Sequence, residues 1–380
     1  MTPISVLVDI TASSDKSGVG RWINGFCRYL ESRGVDFQRT SAVAWGDSSK
    51  GIFSALARNR LIRDLLYYAV ALPRISSRFQ RVVILDNIGR LTFPLPPAAR
   101  PFYLIHDLIP LEMTSGQVGA RMGWLLGLRW FLSSRLYRWR LSRVMFAPGA
   151  RFGYISRATE HAAFEAFGEP ARRGEYIGPM MIRVGVAADA PDREVPPLAS
   201  GKRYVLALGT GDPKKGLESL LTAWRQAGVS NNLQLVLFGS SWKDKGRAWI
   251  EKRIRELAIN NVIHVGPVSE AALAALYKNA SAFVFPSFFE GLGLPPAEFC
   301  MEGAGELILR DIPVLREIYG DVAHFFTSDD ELAALLQAVA ADRLDPVLPP
   351  ESRREKLAAR LDPAATFERL WQAIQSHGQP

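Results

Sequence analysis

Ser287-Phe288-Phe289-Glu290-Gly291-Leu292-Gly293-Leu294-Pro295-Pro296-Ala297-Glu298 is the stretch whose reading decides the fold. A β-rich apolar run, Ala282 to Phe285, leads into it. Gly291 and Gly293 permit a tight turn and close approach of backbone to a ligand. The two prolines fit the first turn of a helix, where a missing N–H removes no bond. The stretch reads as strand, loop and helix, with amides and a positive dipole end at the loop, a setting that suits an anion. Glu290 and Glu298 flank that loop. Carboxylates repel an anion, so they are expected to touch neutral hydroxyls. A sugar nucleotide has that layout, with hydroxyls at both ends and a diphosphate between. An ordinary strand-to-helix turn with two surface carboxylates has the same spacing; the glycines and prolines inside the stretch argue against it.

Outward from this motif the C-terminal half alternates. Strand-length apolar runs occur at Tyr204–Leu208, Leu233–Phe238, Val262–Val265, Ala282–Phe285, Leu307–Leu309 and Val322–Phe326. Helical patterns lie between and after them, at Leu217–Gln226, Arg247–Leu257, Glu270–Lys278, Pro296–Gly303, Val314–Tyr319 and Glu331–Ala340. Such alternation implies βαβ units and a parallel sheet covered by helices on both faces. The N-terminal half repeats the theme less cleanly. Strands are expected at Ile4–Asp9, Phe37–Ala44, Val82–Leu85, Phe102–Ile105 and Phe152–Ile155, and helices at Arg21–Ser32, Phe53–Ala71, Arg121–Leu141 and Thr159–Phe167. A linker is expected near Val184–Ser200. The polar, proline-rich segment Asp345–Pro363 precedes a last helix, Ala365–Ile374.

A chain of 380 residues suits two domains. The expectation is an α/β protein with two doubly wound, Rossmann-like parallel-sheet domains facing a central cleft: residues 1–190, joined by the last helix (365–380), and residues 191–364. Ligands of such sheets bind beyond the carboxyl ends of the strands. A hydrophobic content of 48% with 22% charged residues describes a globular chain, and no apolar run is long enough for a membrane span. The first residues read as a strand and lack the layout of a signal peptide. Two distant cysteines, Cys27 and Cys300, argue against a disulfide framework and for a reducing cytoplasm. Charge is uneven, with 26 Lys and Arg against 16 Asp and Glu in residues 1–200, and 20 against 22 in residues 201–380. A basic half implies nucleic acid, an anionic membrane surface or a phosphate-bearing substrate, or is a solvated surface with no partner.

Four further segments carry chemistry. Leu208-Gly209-Thr210-Gly211-Asp212-Pro213-Lys214-Lys215-Gly216 joins a strand to a helix. Its glycines and lysines suit a phosphate, although it is not a Walker A loop; a helix-entry turn with solvated lysines has the same composition. Ser17-Gly18-Val19-Gly20-Arg21 also links strand to helix, and here the full GxGxxG is absent. His106, at the end of the Phe102–Ile105 strand, is placed to bond a sugar hydroxyl or share a proton, or is a structural histidine. No Asp-x-Asp occurs and no second His or Cys stands at ligand spacing, so no metal is expected. Finally, Arg121–Arg143 mixes arginines with Trp, Phe, Leu and Tyr. That composition fits a helix resting on an anionic membrane, with Arg135, Arg138 and Arg140 in contact, and equally a core helix with an arginine-covered outer face.

Phe285 to Glu298 resembles the donor-binding signature of the family 4 retaining glycosyltransferases of the GT-B fold. Gly209 to Gly216, Gly18-Val19-Gly20-Arg21, His106-Asp107 and Asp311-Ile312-Pro313-Val314-Leu315-Arg316-Glu317 share the likeness, which is dense from 204 to 325. The resemblance implies that Glu290 holds hydroxyls of the donor sugar and Glu298 the nucleotide ribose. It gives the backbone of Gly291, Leu292, Gly293 and Leu294 to the diphosphate, and the leaving phosphate to Lys215. Gly18, Val19 and Gly20 would approach the phosphates from the other domain, and His106 would contact the transferred sugar. Family members often carry an arginine near the position of Thr210, so the resemblance rests charge neutralisation on Lys215. The chain departs from the family after the motif: Gly305 replaces a proline, and Glu306 opens a strand where an apolar residue is usual.

The expected function is a retaining transfer of a hexose, first mannose from GDP-mannose, to a glycan or lipid-linked glycan acceptor in polysaccharide assembly. It would run in the cytoplasm at the inner face of the membrane, with a nucleotide sugar as substrate, no metal cofactor and no nucleic-acid partner. A GT-B-like sugar-nucleotide epimerase would use the same donor and no acceptor. A basic nucleic-acid-binding protein would account for the charge alone, but predicts basic and aromatic side chains on a sheet face, whereas these arginines fall in helical patterns.

Overall fold

The computed structural model describes residues 5–11, 18–49, 56, 58–85, 93–112, 124–181, 202–229, 233–239 and 243–376. Met1–Ile182 with Leu361–Pro380 form one compact unit, and Arg183–Arg360 form another.

The first unit runs β1 (Val6–Asp9), α1 (Gly18–Ser32), β2 (Phe37–Thr40), α2 (Ala42–Ser48), α3 (Arg60–Leu66), a π-turn (Tyr67–Ala71), α4 (Leu72–Ser76), β3 (Arg81–Ile84), β4 (Pro101–Ile105), α5 (Ile109–Glu112), α6 (Trp124–Met145), β5 (Arg151–Tyr154), α7 (Arg157–Phe167) and β6 (Gly174–Tyr176). Its strands are all parallel, in the order β2-β1-β3-β4-β5-β6. β1, β3 and β4 are buried along their whole length, as strands covered on both faces must be.

The second unit runs β7 (Arg203–Leu208), α8 (Leu217–Ala227), β8 (Leu233–Phe238), α9 (Lys243–Glu256), β9 (Val262–Gly266), α10 (Glu270–Asn279), β10 (Ala282–Phe285), α11 (Leu294–Glu302), β11 (Glu306–Arg310), α12 (Pro313–Tyr319), β12 (His324–Phe326), α13 (Asp329–Ala340) and α14 (Pro350–Arg360). Its parallel strands are ordered β12-β11-β10-β7-β8-β9. The chain winds outward from β7 to β9, then returns to lay β10 on the other side of β7. The reversal between β7 and β10 is the switch point, where such sheets leave a crevice beyond their carboxyl ends.

The last helix, α15 (Pro363–Ser376), belongs to the first unit. Phe367 packs edge-on against Trp22 at 5.1 Å between ring centroids, Arg369 Nε donates to the Ile177 carbonyl at 2.7 Å, and Arg81 Nε donates to the Ile374 carbonyl.

Several boundaries differ from the sequence reading. The strand expected at Phe37–Ala44 stops at Thr40, because Ser41 caps α2 and its Oγ accepts the Ala44 amide at 3.1 Å. The helix expected at Phe53–Ala71 is described from Arg60 and continues through the π-turn to Ser76; residues 51–55 and 57 lie outside the described residues. The helix expected at Arg121–Leu141 runs on to Met145, with residues 121–123 outside the described residues. The linker expected near Val184–Ser200 also lies outside them. Besides the short helices α2 and α5, two elements went unread. β6 has only three residues, and α14 occupies the segment read as polar and proline-rich. That helix buries only Arg353 and Leu357. Arg353 Nη2 donates to the Gly305 carbonyl at 2.7 Å, just beyond the C-terminal end of α11. A cation there opposes the negative end of the helix dipole.

Candidate donor site in the second unit

The loops that leave β7 and β10 meet at the switch point. After β7, the Gly209 amide donates to the Phe238 carbonyl at 2.6 Å. Thr210 Oγ1 accepts the Asp212 amide, and Asp212 Oδ1 accepts the Lys214 amide at 3.1 Å, capping a short 3₁₀ turn, Pro213–Lys215. Gly216 then enters α8 with φ +69°, and a Cβ there would stand 2.0 Å from the Pro286 carbonyl oxygen. Only glycine meets both demands. After β10, the Phe288 amide donates to the Lys214 carbonyl at 2.8 Å, so the two loops are strapped together by backbone.

That strap brings Lys215 to Glu290. Lys215 Nζ lies 2.6 Å from Glu290 Oε1, with side chains 24% and 9% exposed. The residues are 75 apart in the chain. A shielded pair of this kind interacts far more strongly than a surface pair. The Lys215 ammonium also lies 5.6 Å from the centre of the Phe285 ring.

Beyond Glu290, Gly291 and Leu292 lead to Gly293, which caps α11 in a left-handed conformation (φ +74°). The helix therefore starts at Leu294, two residues before the sequence reading put it, with the prolines in its first turn. Tyr319 Oη donates to the Gly293 carbonyl at 2.6 Å and fixes the turn. Among the described residues nothing accepts from the amides of Gly291, Leu292 and Gly293. Glu298 lies on α11, half-buried, with Tyr277 Oη 3.5 Å from its Oε2.

Arg310, the last residue of β11, was not singled out by the sequence, yet it ties the site together. It is 6% exposed. Its Nε donates to the Pro286 carbonyl at 3.0 Å, Nη1 to the Thr327 carbonyl at 3.3 Å, and Nη2 to Ser219 Oγ at 2.6 Å on α8. Its guanidinium lies 3.9 Å from the centre of the Phe288 ring and 4.8 Å from that of Phe326. The planar fork thus joins three strand ends at once, a task lysine cannot perform. The only sequence signal was an arginine closing an apolar strand.

The remaining expected residues lie in the first unit. Gly18, Val19 and Gly20 open α1. His106 follows β4 and is buried; its Nε2 lies 2.8 Å from the Leu85 carbonyl oxygen, and its ring meets Trp22 of α1 edge-on at 5.8 Å. A carbonyl only accepts, so Nε2 carries the proton and Nδ1 is left as an acceptor. Burial holds the imidazole pKa below its ordinary value, which keeps the ring neutral. Asp9, which the sequence reading passed over, ends β1 fully buried. Its Oδ1 accepts from the Thr11 amide, Thr11 Oγ1 and Tyr67 Oη, and burial pushes its pKa up. Of the expected membrane residues on α6, Arg135 lies over Phe131 and Arg138 Nη2 donates to the Ala166 carbonyl. No described helix is long and apolar enough to cross a membrane.

Two parallel six-stranded sheets of this order define the GT-B fold. Residues 189–357 match the family described as glycosyl transferases group 1. Among curated proteins, the chain is 33% identical over 123 residues to O-antigen chain mannosyltransferase B of Escherichia coli, covering 31% of each. It is 30% identical over 131 residues to the O-antigen chain mannosyltransferase RfbU of Salmonella typhimurium, covering 34% of this chain and 36% of that one. The matches thus span about a third of the length of these relatives. The solved structure of Anabaena HepE in complex with UDP and glucose superimposes with a TM-score of 0.62 at 13% identity, over 98% of this chain and 100% of that one.

Proposed function

We propose that the protein is a retaining glycosyltransferase of polysaccharide biosynthesis. It moves a hexose, mannose from GDP-mannose, to a glycan or lipid-linked glycan acceptor on the cytoplasmic side of a membrane. The observation that carries this is the Lys215–Glu290 pair at the switch point, beside amides that no described group accepts from. The O-antigen mannosyltransferases support mannose, and the UDP and glucose held by HepE support a nucleotide sugar.

In this reading the diphosphate takes the amides of Gly291, Leu292, Gly293 and Leu294 and the positive end of α11. Lys215 neutralises it as it leaves, while Thr210 lines its approach. Glu290, released from Lys215 as the phosphate arrives, accepts hydrogen bonds from donor-sugar hydroxyls, and Glu298 accepts from the ribose. Gly18, Val19 and Gly20 serve the phosphates and His106 the transferred sugar, with Nδ1 as its free acceptor. The anomeric carbon–phosphate oxygen bond breaks, and a bond to the acceptor hydroxyl oxygen forms on the same face. The acceptor's proton passes to the departing phosphate, so no protein base or nucleophile is required. Preorganised charge, rather than covalent chemistry, lowers the barrier.

A thermal-shift comparison of GDP-, UDP- and ADP-sugars tests the reading, because a ligand that binds the native state raises its stability. GDP-mannose is expected to give the largest shift and to be turned over with a glycan acceptor. No shift with any of the three removes the donor site; a larger shift with a UDP- or ADP-sugar keeps the transferase and replaces the donor.

A further inference from the structure

Helix α6 carries two apolar faces. One meets the core, where Leu141, Val144 and Met145 are buried. The other meets solvent. Leu132 and Trp139 are 60% and 53% exposed, Leu128 about as much, and Phe146, one residue past the helix end, is 61% exposed. At about 3.6 residues per turn these positions fall in one narrow stripe, which Phe131 and Leu136 widen. Monomeric proteins rarely present such a patch without a partner for it.

The charge on the helix selects that partner. Trp124–Met145 holds five arginines and no lysine, aspartate or glutamate. The Arg135 guanidinium lies 5.5 Å from the centre of the Phe131 ring, and that of Arg143 lies 5.3 Å from the centre of Trp139, so both flank the stripe. A second copy of the same face would meet like charge. A nucleic acid would satisfy the arginines but leave exposed leucines with no base-stacking surface. Apolar side chains that enter an acyl boundary, beside basic groups held at anionic headgroups, meet both demands at once.

We propose that this outward face of α6 is a docking surface for an anionic bilayer, with Leu128, Leu132, Trp139 and Phe146 inserted and Arg135 and Arg143 at the headgroups. The residues differ from those the sequence offered: Arg138 is held at the Ala166 carbonyl of α7, and Arg143 and the apolar stripe join Arg135. The proposal deepens the lipid-linked acceptor of the preceding section and rests on that reading for the acceptor alone.

The full chain is mixed with phosphatidylglycerol-containing vesicles and, separately, with phosphatidylcholine vesicles, and sedimentation and tryptophan emission are followed. Wild type is expected to sediment with the anionic vesicles, with a blue shift that Trp139→Phe reduces. Leu132→Ser with Trp139→Ser should lower partitioning roughly a hundredfold at an unchanged melting temperature. Arg135→Gln with Arg143→Gln should lower it roughly thirtyfold and flatten its salt dependence. Three results overturn the proposal: wild type that ignores anionic vesicles, RNA binding that the arginine pair abolishes in its place, or a dimer that the serine pair dissolves. The vesicles contain no sugar nucleotide, so a negative result leaves the transferase reading standing. Absence of any thermal shift with the three nucleotide sugars would remove that reading and leave the docking surface.

Discussion

At the carboxyl end of β10, Glu290 meets a lysine from another loop in a shielded ion pair, beside amides that no described group accepts from. At the carboxyl end of β4, His106 is buried against Trp22 and bonded to the Leu85 carbonyl, and at the end of β1 Asp9 is closed in by hydroxyls. The two sheets share parallel winding and differ in what they do with their strand ends. The second unit gathers opposite charges that neutralise each other beside a loop of unclaimed amides. The first satisfies most of its buried polar groups internally, and carries its unmatched surface on the outside of α6. The contrast teaches that one architecture brings opposite charges together where its loops are strapped to one another, as the Phe288–Lys214 bond and Arg310 do here.

The sharpest way to break the comparison is Glu290→Ala. If the pair is the centre of the donor site, transfer should fall roughly a thousandfold while the circular dichroism spectrum is kept; ordinary turnover would reduce the pair to a structural salt bridge. Next in size is Gly216→Ala. The new methyl would need a left-handed backbone and the space of the Pro286 carbonyl, so stability should fall by about 2 kcal/mol or more in urea unfolding. Gly34, also at positive φ but with open space around it, should lose less on the same change. Arg310→Lys keeps the charge and gives up the fork. A drop of about tenfold in kcat/KM is expected, carried mainly by KM for the donor, together with a modest fall in melting temperature from the buried hydrogen bonds that lysine cannot make. An unchanged KM alongside a large fall in melting temperature would make Arg310 a fold residue only.

The smallest effect belongs to the first unit and concerns pH. Burial lowers the folded-state pKa of His106 below the unfolded value of 6.5. The unfolded chain then binds the extra proton first, so the contribution of this group is full above about pH 6.5 and declines as pH falls from there through the folded pKa. His106→Gln should flatten part of the acid limb of stability against pH, measured by urea unfolding; an unaltered limb would mean the ring is not buried in neutral form.

The motif from Ser287 to Glu298, the alternation of strands and helices, and the loop at Gly209–Gly216 were legible because each is local. Glycine, proline and apolar period act over a few residues. Boundaries slipped where a cap or a left-handed residue intervened, as at Ser41 and Gly293. Helix α14 was missed because a helix that buries two side chains has almost no period to read. Arg310 was missed because an arginine at a strand end reads as a surface residue until its partners, up to 91 positions away, are brought to it.

By itself, the sequence determined the two parallel-sheet units, the strand–loop–helix turns that end their strands, and the basic, aromatic character of α6. The tertiary structure alone decided that Lys215 and Glu290 form one pair, that Arg310 locks three strand ends, that His106 is a neutral ring with its Nε2 proton spoken for, and that the apolar stripe of α6 points outward. The division has one physical cause. Backbone preference and hydrophobic period are properties of neighbours in the chain, whereas the strength of a charge depends on distant groups that meet it and shield it from water.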